Sequence, residues 1–173
     1  QVDFEKKLSL AEMLKESGKG YVSGFFGKGC TPLGWFKDHG YDETDFIHKH
    51  PNRNGHGDWW EPVDKTLIPL DDPKRVFSLA KTSNAFLEKR AKDKTPFFLT
   101  ISHYALHVRN MSLKSTRRKY LDMVAEREGI EDKIPDISKF DDNADEMPLK
   151  MRSHWERANY AAMMENMDTS IGM

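Results

Sequence analysis

One cysteine, Cys30, stands in a chain of 173 residues. A lone thiol closes no disulfide within the chain and builds no cysteine-rich zinc site. It says nothing of compartment, because exported bacterial proteins often have no disulfides and cytosolic ones usually lack them. There is no excess of one charge sign either: Lys plus Arg number 27 against 28 for Asp plus Glu, a formal net charge of −1. A polyanion such as nucleic acid is therefore not gathered by a bulk positive field, although a local cluster can still bind a small anion. No apolar run approaches the ~18 residues that span a bilayer. The opening QVDFEKKLSL has no apolar signal core behind a basic start, so any export signal would lie outside these residues.

Hydrophobic residues make up 38% of the chain, low for one compact domain, and the deficit falls in the loops. Gln1 leads almost directly into a helix and Met173 follows a helical run, which leads us to expect a fragment of something longer.

What is present alternates. S-L-A-E from Ser9 to Glu12 is a capping box, and Leu10, Met13 and Leu14 fall on one face of the helix it opens. Gly18 and Gly20 end that helix, and YVSGFF (Tyr21 to Phe26) has the β-branched and aromatic content of a buried strand. Residues 27 to about 71 lack periodicity and are rich in Gly, Pro, His, Asn and Asp, which predicts a long irregular loop. Asp72, with Pro73 at the first helical position, then predicts a helix to about Arg90 with Val76, Ala80 and Leu87 on one side. Phe97, Phe98, Leu99 and Ile101 form the best strand in the chain, apolar enough for a sheet covered on both faces.

A charged helix is expected over Lys114 to Glu128, and an acidic surface loop over residues 130 to 152. A last helix is expected from a second capping box at Ser153 and Glu156, with Tyr160, Met163, Met164, Met167 and Ile171 as its core-facing stripe. This order predicts an α/β layer fold with a mostly parallel sheet, whose ligands gather at the carboxyl ends of the strands.

Two segments fall at those ends. Lys28 follows the first strand between Gly27 and Gly29, either as an anion-binding ammonium with an open approach or as a solvated loop lysine. His103 and His107 follow the second strand. They suit metal binding, anion binding or proton donation to a leaving group, or else simple bonding to backbone carbonyls at a sheet edge. His48, His50, His56 and Asp58 have metal-ligand chemistry but no rigid element to hold their spacing, so no metal site is assigned to them. Trp59 and Trp60 offer flat apolar faces to a sugar or ring, or pin the long loop to the core. The acidic run Asp141, Asp142, Asp145 and Glu146 lacks the spacing of a calcium loop and suits a solvated surface.

Three segments together resemble the type I sulfatases of the alkaline-phosphatase-like superfamily. LAEMLKESGKGYVSGFFGKG followed by HGYDE (His39 to Glu43) is similar to the family's L-A-x-x-L-K helix, Gly-Tyr strand, G-K-W-H-L-G and H-G-F-D-E. TPFFLTISHYALHV is similar to P-F-F-L-x-x-S-x-x-A-x-H, and NYAAMMENMDTSIG to Y-A-A-M-V-E-x-M-D-x-S-I-G. The three stand in family order and span nearly the whole chain.

The resemblance implies an α/β/α sandwich and hydrolysis of a sulfate ester, with a small-molecule or glycan sulfate as partner and a periplasmic or secreted location. Lys28 matches the lysine that binds a sulfate oxygen, and His107 the histidine that contacts the ester. His103 is expected behind them as a supporting residue, and Trp59 and Trp60 in a carbohydrate cleft.

There are departures. Cys30 fills the slot of the family's second histidine, and Arg109 stands where a proline is usual. The family's nucleophile, a Cys or Ser of C-x-P-S-R oxidised to formylglycine, has no counterpart, nor do the acidic pairs that hold calcium. Cys30-Thr31-Pro32 is no substitute. It follows the L-A-x-x-L-K helix instead of preceding it, and lacks the Ser and the Arg, so the chemistry of this stretch is assigned to Lys28. Nucleophile and calcium ligands are expected outside these residues, and the chain alone is expected to be inactive. Phosphodiesterases and phosphonate hydrolases of the same superfamily, and a noncatalytic binder of sulfated glycans, remain as alternatives.

Overall fold

The computed structural model describes residues 8–28, 39–45, 71–107, 110–130 and 149–173. Four helices and three strands are found among them: α1 (Leu10–Glu16), β1 (Val22–Gly27), β2 (Glu43–Thr44), α2 (Val76–Asp93), β3 (Phe97–Ser102), α3 (Lys114–Glu128) and α4 (Leu149–Ile171). The strands form one open sheet of order β2-β1-β3 with both pairings parallel. The chain is thus an α/β protein with a small all-parallel sheet. Among the described residues no helix is long and apolar enough to cross a membrane.

The capping box at Ser9 forms as expected. Its hydroxyl accepts from the Glu12 amide at 3.0 Å, while the Glu12 carboxylate takes the Ser9 amide at 2.6 Å. The apolar face read from Leu10, Met13 and Leu14 is not buried, however. Leu10 and Met13 are exposed, and Ala11 is the residue α1 buries. Gly40 explains this: it adopts φ +85°, and a Cβ there would strike the Glu12 backbone. The HGYDE segment therefore packs backbone to backbone against the start of α1, on the side that carries Ala11 and Glu12.

β1 alternates its side chains as a strand must. Val22 and Phe26 face α2, where Phe26, Leu79 and Phe86 form a core with Val22, Leu87 and Leu99 packed around it. Gly24 leaves room for the Phe86 ring on that face. On the opposite face Tyr41 packs edge-on against Phe25 and stacks on Phe98.

β3 departs from expectation. Among the described residues it pairs with β1 alone, and Phe97 and Ile101, facing α2 at that edge, keep 44% and 42% of their surface exposed. Within the described residues it is an edge strand and not one covered on both faces.

Two further corrections concern helix starts. Pro73–Arg75 forms a separate 3-10 turn with Lys74 and Arg75 in the left-handed region, and α2 begins only at Val76. Asp72 still caps, but across the turn: its Oδ1 accepts from the amides of Phe77 and Ser78. α4 begins by Leu149, which puts Ser153 inside the helix, where it is exposed and caps nothing.

The buried face of α4 also differs from the expected stripe. Tyr160, Met164 and Ile171 are exposed, while Met151, Trp155, Ala158, Asn159, Ala162, Met163, Asn166 and Ser170 are buried. Trp155, wholly buried, makes the core with Leu121 of α3, Met151 and Ala158. The fully buried guanidinium of Arg117 lies 4.3 Å from its ring centroid. The expected stripe runs through the largest apolar residues. Helix 4 instead presents its small and amide-bearing side to α2 and α3, because close packing against two helices favours them there.

Candidate active site at the carboxyl ends of the strands

β1 and β3 run in register from Val22–Phe97 to Gly27–Ser102, so the two strands end side by side. The Lys28 amide closes the pairing by donating to the Ser102 carbonyl at 2.7 Å. Lys28 and the segment His103–His107 thus leave the sheet at the same end, from adjacent strands. Gly27 makes this possible: its φ is +102°, and a Cβ there would overlap the Ser102 carbonyl. The glycine expected to keep an approach to Lys28 open has a more specific reason in the backbone itself.

Beyond Ser102 the chain turns, and the His107 amide donates to the Tyr104 carbonyl at 3.1 Å. Tyr104 is buried and His107 half-buried. His103 is half-buried, and its Nδ1 is buried with no hydrogen-bond partner among the described residues. Burial lowers its pKa below the ordinary histidine value, so this imidazole is held neutral at and above pH 7. The alternative of a histidine bonded to backbone carbonyls is not what Nδ1 of His103 does.

A third strand end joins these two. β2 pairs with β1 from Gly24–Glu43 to Phe25–Thr44, inside the stretch expected to be irregular throughout. Asp45, immediately after it, accepts the Gly27 amide on Oδ1 at 2.8 Å. Its Oδ2 takes Arg75 Nη2 at 3.2 Å. Asp42 performs a similar service one turn of the ladder earlier, its Oδ2 accepting from the Ser23 amide at 2.9 Å. The two carboxylates extend a two-residue strand into a clamp along β1.

Lys28, Asp45, Arg75, His103 and His107 thus belong to one end of the sheet. Sequence reasoning missed β2, Asp45 and Arg75. A two-residue strand has no periodicity to detect, and Asp45 and Arg75 are 30 residues apart.

The segment after His107 is anchored from α4. The Asn159 carboxamide donates to the Asn110 carbonyl at 2.7 Å and accepts from the Ser112 hydroxyl at 2.5 Å. Asn166 accepts from the Leu113 amide at 2.9 Å and donates to Thr116 Oγ1 at 3.0 Å. The N-Y-A-A-M-M-E-N helix therefore holds the chain that leads away from the site into α3.

Trp59, Trp60, Cys30 and the His48–Asp58 cluster lie outside the described residues, as does the acidic run at 141–146. Among the described residues no group of three or more His, Cys, Asp or Glu side chains could hold a metal ion. No family model matches the chain, and no curated protein matches it.

Proposed function

We propose that this chain forms part of a sulfatase-like catalytic domain of α/β/α sandwich architecture and contributes the oxyanion-binding lysine and a histidine to hydrolysis of a sulfate ester. The observation that supports this is the side-by-side ending of β1 and β3, with Lys28 hydrogen-bonded through its backbone to Ser102. An ammonium at one strand tip and imidazoles at the next suit a tetrahedral anion at the carboxyl end of a parallel sheet. The three sequence segments that resemble the sulfatases bring both residues into that arrangement: the first carries Lys28, the second His107, and the third is the helix that anchors the chain after His107.

The roles follow from charge. Lys28 neutralises a sulfate oxygen as negative charge grows on the leaving group. His107 donates a proton to the ester oxygen as its bond to sulfur breaks, which spares the departing alcohol an alkoxide charge. His103, neutral, offers a ring nitrogen to hydrogen-bond a neighbouring group without adding a second positive charge. The nucleophile and calcium of the resembled family belong to residues other than these. Trp59 and Trp60 suit a carbohydrate sulfate, and the assigned location is periplasmic or secreted.

A second reading, noncatalytic binding of sulfated glycans, is favoured by one observation: Cys30 stands in place of the family's second histidine. Titration of the chain with inorganic sulfate and with a sulfate monoester, followed by NMR of the Lys28 and His107 side chains, tests the shared anion site. Saturable shifts at both residues, weakened about tenfold or more in Lys28→Ala, are expected, since a charged hydrogen bond contributes about 1.5–3 kcal/mol. Shifts that persist unchanged in Lys28→Ala would remove the assignment. Turnover of a sulfate monoester by the protein purified from its natural source, against binding without turnover, separates the two readings.

A further inference from the structure

We infer that Asp45 is a positioning residue for Lys28, tying the tip of β1 to the entry of α2 through Arg75. The inference rests on the anion-binding reading of Lys28 for its functional consequence, but not for its geometry.

The carboxylate is divided between two tasks. Oδ1 takes the Gly27 amide and Oδ2 takes Arg75, and the two side chains retain only 10% and 20% of their exposure. A carboxylate so withdrawn from water needs both partners, because either alone leaves one oxygen poorly solvated. Gly27 is also the residue at which β1 leaves the sheet with positive φ. Its amide is fixed by Asp45 and the next amide, that of Lys28, by Ser102. Two consecutive backbone donors are thereby oriented from opposite neighbours, β2 on one side and β3 on the other, and the direction in which the Lys28 side chain departs follows from both.

The other end of the tie is a strained turn. Lys74 and Arg75 both adopt left-handed backbone angles, φ 55° and 56°, which side chains with a Cβ disfavour. Strain of this kind persists where surrounding contacts over-determine it and is concentrated near functional sites. Here the Arg75 guanidinium is held by Asp45, and Asp72 caps the first turn of α2. Residues from β1, β2 and the α2 entry thus meet on one carboxylate, beside a lysine whose task depends on direction. A fixed ammonium binds an oxyanion better than a swinging one, because its rotamer freedom is already spent.

The test combines amide hydrogen exchange with sulfate titration in the full chain, for wild type, Asp45→Ala, Asp45→Asn, Lys28→Ala and the Asp45→Ala/Lys28→Ala pair. Asp45→Ala is expected to speed exchange at Gly27 and Lys28 at least tenfold while Phe25 stays within twofold, and to weaken sulfate about tenfold. Asp45→Asn, which keeps an acceptor for the Gly27 amide but gives up the charge that holds Arg75, is expected to restore protection at Gly27 and Lys28 only in part, to a level between Asp45→Ala and wild type. In the Lys28→Ala background the Asp45 substitution should cost no further affinity.

Unchanged protection at Gly27 and Lys28 in Asp45→Ala overturns the inference, as does an equal loss of sulfate affinity with and without Lys28. If wild type and Lys28→Ala bind sulfate alike, the oxyanion reading fails while the exchange data still decide the role of Asp45. Should Asp45→Ala not fold, Asp45→Glu keeps the charge, lengthens the side chain by one methylene and carries the same readouts.

Discussion

The Lys28 amide donates to the Ser102 carbonyl at 2.7 Å, and this one bond makes neighbours of two segments that are more than seventy residues apart in the chain. It forms because Gly27 bends away from the sheet at φ +102° with no side chain to obstruct the Ser102 carbonyl.

Gly27→Ala therefore introduces both a clash with backbone and a conformation that alanine resists. We expect a loss of about 3 kcal/mol in stability, near the upper end for a single strained position. Urea denaturation followed by circular dichroism reads it, and a midpoint within error of wild type would contradict the account of the strand tip.

Trp155→Ala opens a cavity between α3 and α4 and leaves the buried Arg117 guanidinium without its ring. A cost of about 3–5 kcal/mol is expected in the same measurement. Met163→Leu, by contrast, keeps volume and should cost under about 1.5 kcal/mol.

Asn159→Ala removes the acceptor of Ser112 and the donor to the Asn110 carbonyl. Buried groups left without partners cost about 1–3 kcal/mol. Hydrogen exchange should report the loss first at residues 110–113, since Asn166 continues to hold Leu113. Uniform loosening of the whole chain would instead mean that the carboxamide acts through general packing.

Acid should loosen the contact between α3 and α4. Glu128 accepts from His154 at 2.6 Å and from Arg157 at 2.8 Å, and these bonds, His154 first, hold its carboxyl below the ordinary glutamate range. A depressed carboxylate contributes stability that is present above its unfolded pKa and disappears as pH falls through the folded one. The stability of wild type should thus fall more steeply below about pH 4.5 than that of Glu128→Gln. Parallel acid limbs would show that the cluster contributes nothing. His103 acts in the same direction nearer neutrality: burial lowers its pKa, so protonation below about pH 6.5 favours the unfolded chain, and His103→Gln should flatten that part of the curve.

Trp59→Ala and Trp60→Ala test the carbohydrate assignment. Each should weaken a sulfated oligosaccharide about fivefold, corresponding to roughly 1 kcal/mol of ring stacking, while inorganic sulfate binds as before. Unchanged affinity for the oligosaccharide in both variants would remove the sugar from the proposal.

Short-range chemistry made part of this protein legible from residues alone. The Ser9 and Glu12 capping box, the Tyr21–Phe26 and Phe97–Ile101 apolar runs and the bounds of α3 all depend on neighbours within a few positions; the cap and α3 stand where residue order put them, and the two runs fall on β1 and β3 to within one residue at each end. Lys28 and His103 were recognisable as residues following strands for the same reason. The tertiary structure decided the rest. β2 is two residues long and exists because Asp42 and Asp45 bond to β1 from either end of it, a condition invisible to periodicity. The face of α4 that is buried was set by what α2 and α3 could approach closely, which left Tyr160 and Met164 in water and drew in Asn159 and Asn166. Helix caps and strand runs are local free-energy minima. Which side of a helix is covered, and which carboxylate meets which arginine, depends on contacts between residues far apart in the chain, and these have no energy until the fold brings them together.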